Sequence, residues 1–246
     1  MISKTHTKYI QSLQHKKFRD ESGEFIAEGS KTVLELLEGR QFECNELYAS
    51  KDWLEMNAAL PARYQQTAFN DVRDFELENI SALSTPNKVL AVFKKKPQHP
   101  VIVFKGKVTL LLDTIQDPGN FGTIIRTADW FGVETIICSH TGADMYSPKV
   151  VQSTMGSLGR VNIVYDDLGE WIQKNNSIKT YAAALRGKPA GILKGIHEAA
   201  IIIGNEAKGI NGQLMELVNE RITIPGKGSA ESLNAAVAAG ILLSQV

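Results

Sequence analysis

The stretch LLDTIQDPGNFGTIIRTADWFG, residues 111–132, decides how the rest of the chain is read. Leu111 and Leu112 close an apolar run that begins near Val108, and Asp113 to Gly119 is turn chemistry, sharpest at Pro118-Gly119. A helical pattern follows over 120–131. It places Phe121, Ile124, Ile125, Ala128 and Phe131 on one face at 3.6 periodicity, with Arg126 pointing away from them. A buried strand, a tight turn and an amphipathic helix open a βα unit. The turn carries Asn120 and, further along the helix, Arg126, which makes it either a receptor for a phosphate or ribose or an ordinary βα loop.

The pattern repeats toward the end of the chain. VTLLLD, ETIICS, VNIVYD, TYAAAL, AAIIIGNE and RITIP read as strands, and 148–158, 167–175, 210–219 and 232–244 join 120–131 as helices. Alternation of this kind predicts an α/β domain, a mostly parallel sheet with helices on both faces. Upstream, FKKKPQHPVIVF (93–104) has linker composition. Before it, EFIAEGSKTVLELLEGR gives a strand and a helix, and ECNELYAS, QQTAFN and KVLAVFK give short strands. The expected division is a small mixed α/β domain over 1–95, a linker over 96–104 and the larger domain over 105–246.

The composition is that of a globular protein: 246 residues, 43% hydrophobic, 22% charged. Lys+Arg and Asp+Glu both number 27, so net charge selects no partner, although local basic patches remain compatible with nucleic acid. Cys44 and Cys138 form no CxxC, which favours a reducing, cytoplasmic setting without a metal. The polar, basic start lacks the apolar core of a secretory signal, and no apolar run reaches the ~18–20 residues that span a bilayer. The last helical pattern reaches Ser244-Gln245-Val246 without a closing signal, so its natural end is expected further on.

A Rossmann dinucleotide site is the first candidate for such a sheet, but DPGNFGTIIRTAD lacks GxGxxG spacing, and PGKGSAES is not GxxxxGK[ST]. The glycine-rich loops instead come late, in IIIGNEAKGI (201–210) and ITIPGKGSAESLNAAVAAG (222–240). Singly, each has a plain reading: Gly204 as a turn glycine, Glu206 as a solvated or helix-start carboxylate, Ser229 or Ser232 as the cap of the last helix, Asn234 as solvated, Arg126 as a surface cation.

In order, Asn120 with Arg126, then Gly204-Asn205-Glu206 with Gly209, then Ile224-Pro225 with Ser232-Leu233-Asn234 resemble the three motifs of SpoU-type RNA ribose 2′-O-methyltransferases of the SPOUT superfamily. The resemblance spans 105–246. FIAEGSKTVLELL and STPNKVLAVFKK similarly resemble the opening and exit of an L30e-like RNA-binding domain. The resemblance implies a trefoil knot in the late part of the sheet, S-adenosylmethionine as cofactor and a homodimer formed through the C-terminal domain. Gly204, Gly209, Ile224, Ser232 and Leu233 are then expected to hold the cofactor, with Gly226 and Gly228 also suiting close backbone approach. Arg126 activates the ribose oxygen and Asn120 orients the substrate or Arg126. Glu206 holds a basic partner, and Ser232 and Asn234 position the ribose.

No histidine falls in the motifs, and His140 and His197 read as surface or core residues. An arginine is a poor base in water because its pKa exceeds about 12. Arg126 therefore either has a pKa lowered by desolvation or, the favoured account, stays charged, holds a phosphate and stabilises the developing alkoxide. The basic clusters Lys4, Lys8, Lys16, Lys17, Arg19 and Lys94–Lys96 are expected either to contact RNA phosphates or to be solvated. Ribosomal RNA of the 23S type is favoured by the L30e-like half. Transfer RNA, a non-catalytic RNA-binding protein on the same fold and a small-molecule nucleotide enzyme on a Rossmann-like sheet are the alternatives.

Overall fold

The computed structural model describes residues 1–39, 41–96 and 105–246. The predicted linker, apart from Lys96 itself, lies outside the described residues. The chain forms two compact units, Met1–Pro97 with Asp144–Gly159, and Gln98–Ala143 with Arg160–Val246.

The first unit contains α1 (Lys4–Ser12), α2 (Lys16–Ser22), β1 (Glu24–Glu28), α3 (Ser30–Glu38), β2 (Cys44–Ala49), α4 (Lys51–Met56), α5 (Leu60–Arg63), β3 (Ala68–Asp71), α6 (Asp74–Ile80) and β4 (Val89–Lys94). Its sheet runs β1-β4-β2-β3, antiparallel except for the parallel pair β2/β3. Ile10 and Leu13 from the first helical segment and Leu77 and Ile80 of α6 cover one face through Ile26, Tyr48, Leu90 and Val92. Phe25, on the alternate register of β1, stacks instead on Phe93 and meets Phe42 edge-on and Tyr146 at a tilt. With both faces covered, β1 and β4 are apolar runs without alternation.

Helices α1, α2, α4, α5 and α6 are not foreseen in the sequence reading. α2 shows why: Arg19 is its one buried residue, so it has no apolar stripe to read. Arg19 is 2% exposed. Its Nη1 donates to the carbonyls of Leu13 and Gln14 at 2.8 Å each, and its Nη2 lies 2.6 Å from Asp144 Oδ2. The expectation that Arg19 belongs to a phosphate-contacting cluster is therefore corrected: it is a buried structural cation. The neighbouring lysines are also engaged, Lys95 with Asp20 and Lys94 with Glu43 at 2.6 Å each, and Lys16 with Asp20. The two ammonium groups hold the Asp20 carboxyl below its usual pKa. Lys4 and Lys8 remain exposed.

Also in this unit, α8 (Pro148–Thr154) runs shorter than the expected 148–158, because Met155 (φ 50°) and Gly156 (φ 94°) turn the chain into the left-handed region. A Cβ at Gly156 would stand 2.4 Å from Glu35 Cβ, so only glycine lets the chain pass α3 here.

The second unit holds β5 (Val108–Leu112), α7 (Pro118–Trp130), β6 (Thr135–Cys138), β7 (Asn162–Tyr165), α9 (Leu168–Lys174), β8 (Thr180–Pro189), β9 (Ala199–Ile203), α10 (Gly212–Leu217), β10 (Glu220–Thr223) and α11 (Ala235–Leu243). Its sheet is parallel throughout, in the order β10-β8-β9-β5-β6-β7. All six expected strands are present, and the helices expected at 120–131, 167–175, 210–219 and 232–244 appear as α7, α9, α10 and α11, whereas the one expected at 148–158 belongs to the first unit. β8 runs further than TYAAAL because its pairing with β10 jumps register between Arg221 and Ile222. A Cβ at Gly187 would stand 2.5 Å from the Arg221 carbonyl oxygen, so that glycine makes the jump possible. Leu168, Trp171, Ile172 and Leu214 cover one face through Leu111, Ile137 and Ile202. Helices α7 and α11 pack on each other, and α11 also contacts β9. Phe121, Ile124, Ile125 and Ala128 are buried as expected, whereas Phe131, the C-cap of α7, is 39% exposed.

Both cysteine thiols are buried and free, and burial pushes Cys44 up to about 12. Among the described residues no helix is long and apolar enough to cross a membrane, and no cluster of three or more His, Cys, Asp or Glu side chains could hold a metal.

Removing one partner of a buried ion pair leaves the other charge stranded. Arg19→Ala should therefore destabilise the protein by about 3–5 kcal/mol in urea denaturation. Lys4→Ala, at an exposed site, should shift stability by less than about 0.5 kcal/mol.

Candidate functional site

The order of the second sheet fixes where a site can form. From β5 the chain leaves toward β6, and from the adjacent β9 it leaves the opposite way, toward β10. Loops that diverge from neighbouring parallel strands open a crevice at their carboxyl ends. Asp113 continues the ladder past β5, donating from its N–H to the Ile203 carbonyl at 2.9 Å. Its buried carboxylate accepts from Asn211 N–H at 2.7 Å and from the Thr114 hydroxyl at 3.0 Å. Thr114 takes φ 56°, uncommon for a β-branched residue, and its hydroxyl lies 2.8 Å from that of Thr141.

The turn then closes differently from the sequence reading. Asp117 is the N-cap of α7, its Oδ1 accepting from Asn120 N–H at 2.7 Å, and Pro118 is the first helical residue. Proline suits that position because the N–H it lacks would be unpaired there. Asn120 thus sits in the first turn of the helix. Its Nδ2 donates to Glu206 Oε1 at 2.6 Å, and its Oδ1 accepts from Asn234 Nδ2 at 2.8 Å.

Asn234 is the N-cap of α11. Its Oδ1 accepts from the N–H groups of Ala236 and Val237 at 2.9 and 3.3 Å. The cap is therefore neither Ser229 nor Ser232, and Asn234 is tied rather than merely solvated.

The loop carrying Glu206 is self-contained. Asn205 and Gly209 exchange backbone hydrogen bonds at 3.1 and 2.8 Å, with Gly209 at φ 69°. The Asn205 side chain accepts from Ala207 and Lys208 N–H and donates to the Thr114 carbonyl at 3.0 Å. A Cβ on Gly204 would stand 2.4 Å from Gly209 C and Ile210 N. Gly204 is thus required by the loop's own backbone, as a turn glycine. Gly226 and Gly228 differ, since nothing lies within 4 Å of where their Cβ would be.

The structure brings together Asn120, Glu206 and Asn234. It leaves Arg126 exposed on α7, roughly two turns beyond Asn120 and outside that network. Ser232 and Leu233 are exposed in the segment before α11, and Ile224 is half-buried after β10. The side-chain partner of Glu206 is the Asn120 amide, not a basic residue. His140 and His197 are both exposed. Sequence reasoning gave no role to Asp113, Thr114 and Asn211, whose only signal was their place in loops after strands, and placed Asn205 in a motif without seeing that its side chain ties the loop to Thr114. The two side-chain hydrogen bonds of the junction fix the three segments relative to one another. In the segment that leads from β10 to Asn234, Gly226 and Gly228 leave the backbone open, Ile224 is half-buried and Leu233 is exposed.

Residues 107–244 match the SpoU rRNA Methylase family, and residues 4–91 match the MRM3-like substrate binding domain. The chain is 32% identical over 241 residues to the 23S rRNA (guanosine(2553)-2′-O)-methyltransferase RlmP of Bacillus subtilis, covering 95% of this chain and 92% of that protein. A TrmH-family RNA methyltransferase structure from Porphyromonas gingivalis superposes with a TM-score of 0.89 at 33% identity, covering 100% of this chain and 98% of that one. The SpoU methyltransferase AviRb of Streptomyces viridochromogenes, in complex with AdoMet, superposes with a TM-score of 0.86 at 26% identity, covering 99% and 97%.

The two kinds of glycine should respond oppositely to substitution. Gly204→Ala forces backbone apart and should cost about 1–3 kcal/mol or more, with faster hydrogen exchange across 204–211. Gly226→Ala should stay within about 0.5 kcal/mol of wild type in the same unfolding assay.

Proposed function

This chain belongs to the SpoU rRNA methylase family, and from that premise we propose that it transfers a methyl group from S-adenosylmethionine to a ribose 2′-hydroxyl of 23S-type ribosomal RNA. The observation that carries the reading is the Asn120–Glu206–Asn234 junction at the carboxyl rim of the parallel sheet. Residues 1–95 serve as the RNA-binding domain and 105–246 as the methyltransferase domain. The match of the first to a substrate-binding domain, and the ribosomal targets in the name of RlmP, favour ribosomal over transfer RNA.

S-adenosylmethionine would be held along the loop that Gly204 and Gly209 shape and by Ile224, Ser232 and Leu233, and would supply the electrophilic methyl on its sulfonium. The chain must bind the ribose, align its 2′-oxygen and stabilise the charge that grows as the hydroxyl proton leaves. Arg126 does the last, as a permanent cation whose guanidinium holds a backbone phosphate and faces the developing alkoxide. Its exposure on the non-core face of α7 leaves it available for this. Asn120 acts through Glu206 and Asn234, locking the β5, β9 and α11 segments in register so that their loops present one surface. Ser232 and Asn234 position the ribose.

We further propose a trefoil knot in the late loops, action in the cytoplasm in keeping with two unbridged buried thiols, and a homodimer. The dimer would use α7 and α11, where Trp130 is 84% exposed and Val237 50%, and would bring Arg126, one turn before Trp130 on the same side of α7, to its border. Exposed apolar area of that kind asks for a partner, and a second copy presents the same face. Trp130→Glu should shift the protein to monomer in analytical ultracentrifugation; an unchanged dimer places the interface elsewhere.

Arg126→Ala leaves the core face of α7 intact, so fold and S-adenosylmethionine binding by calorimetry should be retained. Methyl transfer to 23S ribosomal RNA should fall by about two orders of magnitude or more. Transfer at near wild-type rate would remove Arg126 from the mechanism.

A further inference from the structure

Helix α2 is held to its unit by the guanidinium of Arg19, its one buried residue, and every other side chain of the helix faces outward to some degree. Among these is Phe18, 40% exposed. Two side chains approach its ring. His15, the N-cap residue, meets it edge-on with centroids 6.4 Å apart, and the Lys17 ammonium lies 5.9 Å from its centroid. Lys17 is only loosely shared with Glu21, at 3.9 Å on an exposed pair. Asp20, the other acid on the helix, is neutralised by Lys16 and Lys95.

A part-exposed aromatic ring beside a cation, on a helix pinned in place, has the elements of a stacking platform for an unpaired nucleobase. Stacking needs a π-face and tolerates any base, while an adjacent lysine meets the phosphate. A buried ion pair anchoring the helix limits the ordering needed when a base lands on it.

We propose that Phe18, with His15 at its edge and Lys17 beside it, is a stacking subsite for an unpaired base of the RNA substrate. The proposal rests on the reading that the first unit binds RNA, and it adds to that reading which residues receive the strand and by what chemistry. A single-stranded contact of this kind suits a loop or bulge, where bases are splayed out of the helix.

The test uses the full chain and a short single-stranded RNA carrying 2-aminopurine, whose fluorescence is quenched on stacking. Wild type should bind it with quenching. Phe18→Ala should lose about tenfold or more in affinity, together with the quenching. Phe18→Leu, which keeps an apolar contact without a π-face, should behave like the alanine variant, and Phe18→Trp should restore both signals. Lys17→Ala should lower the slope of log affinity against log salt by about 0.7, one single-strand phosphate contact. Wild-type affinity and quenching in Phe18→Ala, or in Phe18→Leu, would overturn the proposal alone. Failure of the wild-type chain to bind RNA at all would overturn the reading of the first unit and the proposal with it.

Discussion

The side-chain amide of Asn120 joins three segments that the chain itself keeps far apart. It donates to Glu206, 86 residues away, and accepts from Asn234, 114 residues away. An amide is suited to this because it offers a donor and an acceptor from one planar group: the carboxylate takes the first and a second amide supplies the second. Replacing it by a carboxylate would repel Glu206, and by an aliphatic group would leave both neighbours unpaired. The same Asn234 that completes the junction also caps α11, so the start of the last helix and the first turn of α7 are fixed together. The late loops can present a shared surface because this contact sets where each begins.

That junction exists only because β9 lies beside β5. Had β9 followed β7 at the edge of the sheet, Glu206 would emerge three strands from Asn120. The insertion of a late strand next to the first strand of the unit puts the loops after both in one crevice, and the Asp113 and Asn205 side chains brace them against each other. The strained backbone of Thr114 sits within this brace, where its carbonyl and hydroxyl both have partners. Local strain of that kind is held by surrounding hydrogen bonds.

In the first unit a charge takes the place that an apolar stripe usually fills. Arg19 satisfies two carbonyls at the end of the preceding helical segment and Asp144 from the later part of the chain. Cations adjacent in sequence therefore have different fates: Arg19 is interior, Lys16 and Lys95 neutralise Asp20, and Lys17 faces solvent beside an aromatic ring. A basic cluster counted along the sequence overstates the positive surface that remains for a nucleic acid.

The sequence by itself determined the elements of the second unit, because runs such as AAIII and TLLLD, buried on both faces, leave continuous apolar patterns bounded by Gly, Asn and Asp. It also determined the three motif segments, whose residue types survive any arrangement of the loops. It did not determine the helices α1 and α2, where a buried arginine and short amphipathic turns produce no strong period. Nor did it distinguish Gly204, pressed by its own loop, from Gly226, which faces open space, since both are simply glycines between polar residues. Only the tertiary structure decided that Asn234 and not Ser232 caps α11, and that Glu206 pairs with an asparagine and not a cation. Those outcomes depend on which strand ends are neighbours, and strand order comes from the packing of the whole sheet, not from any window of residues.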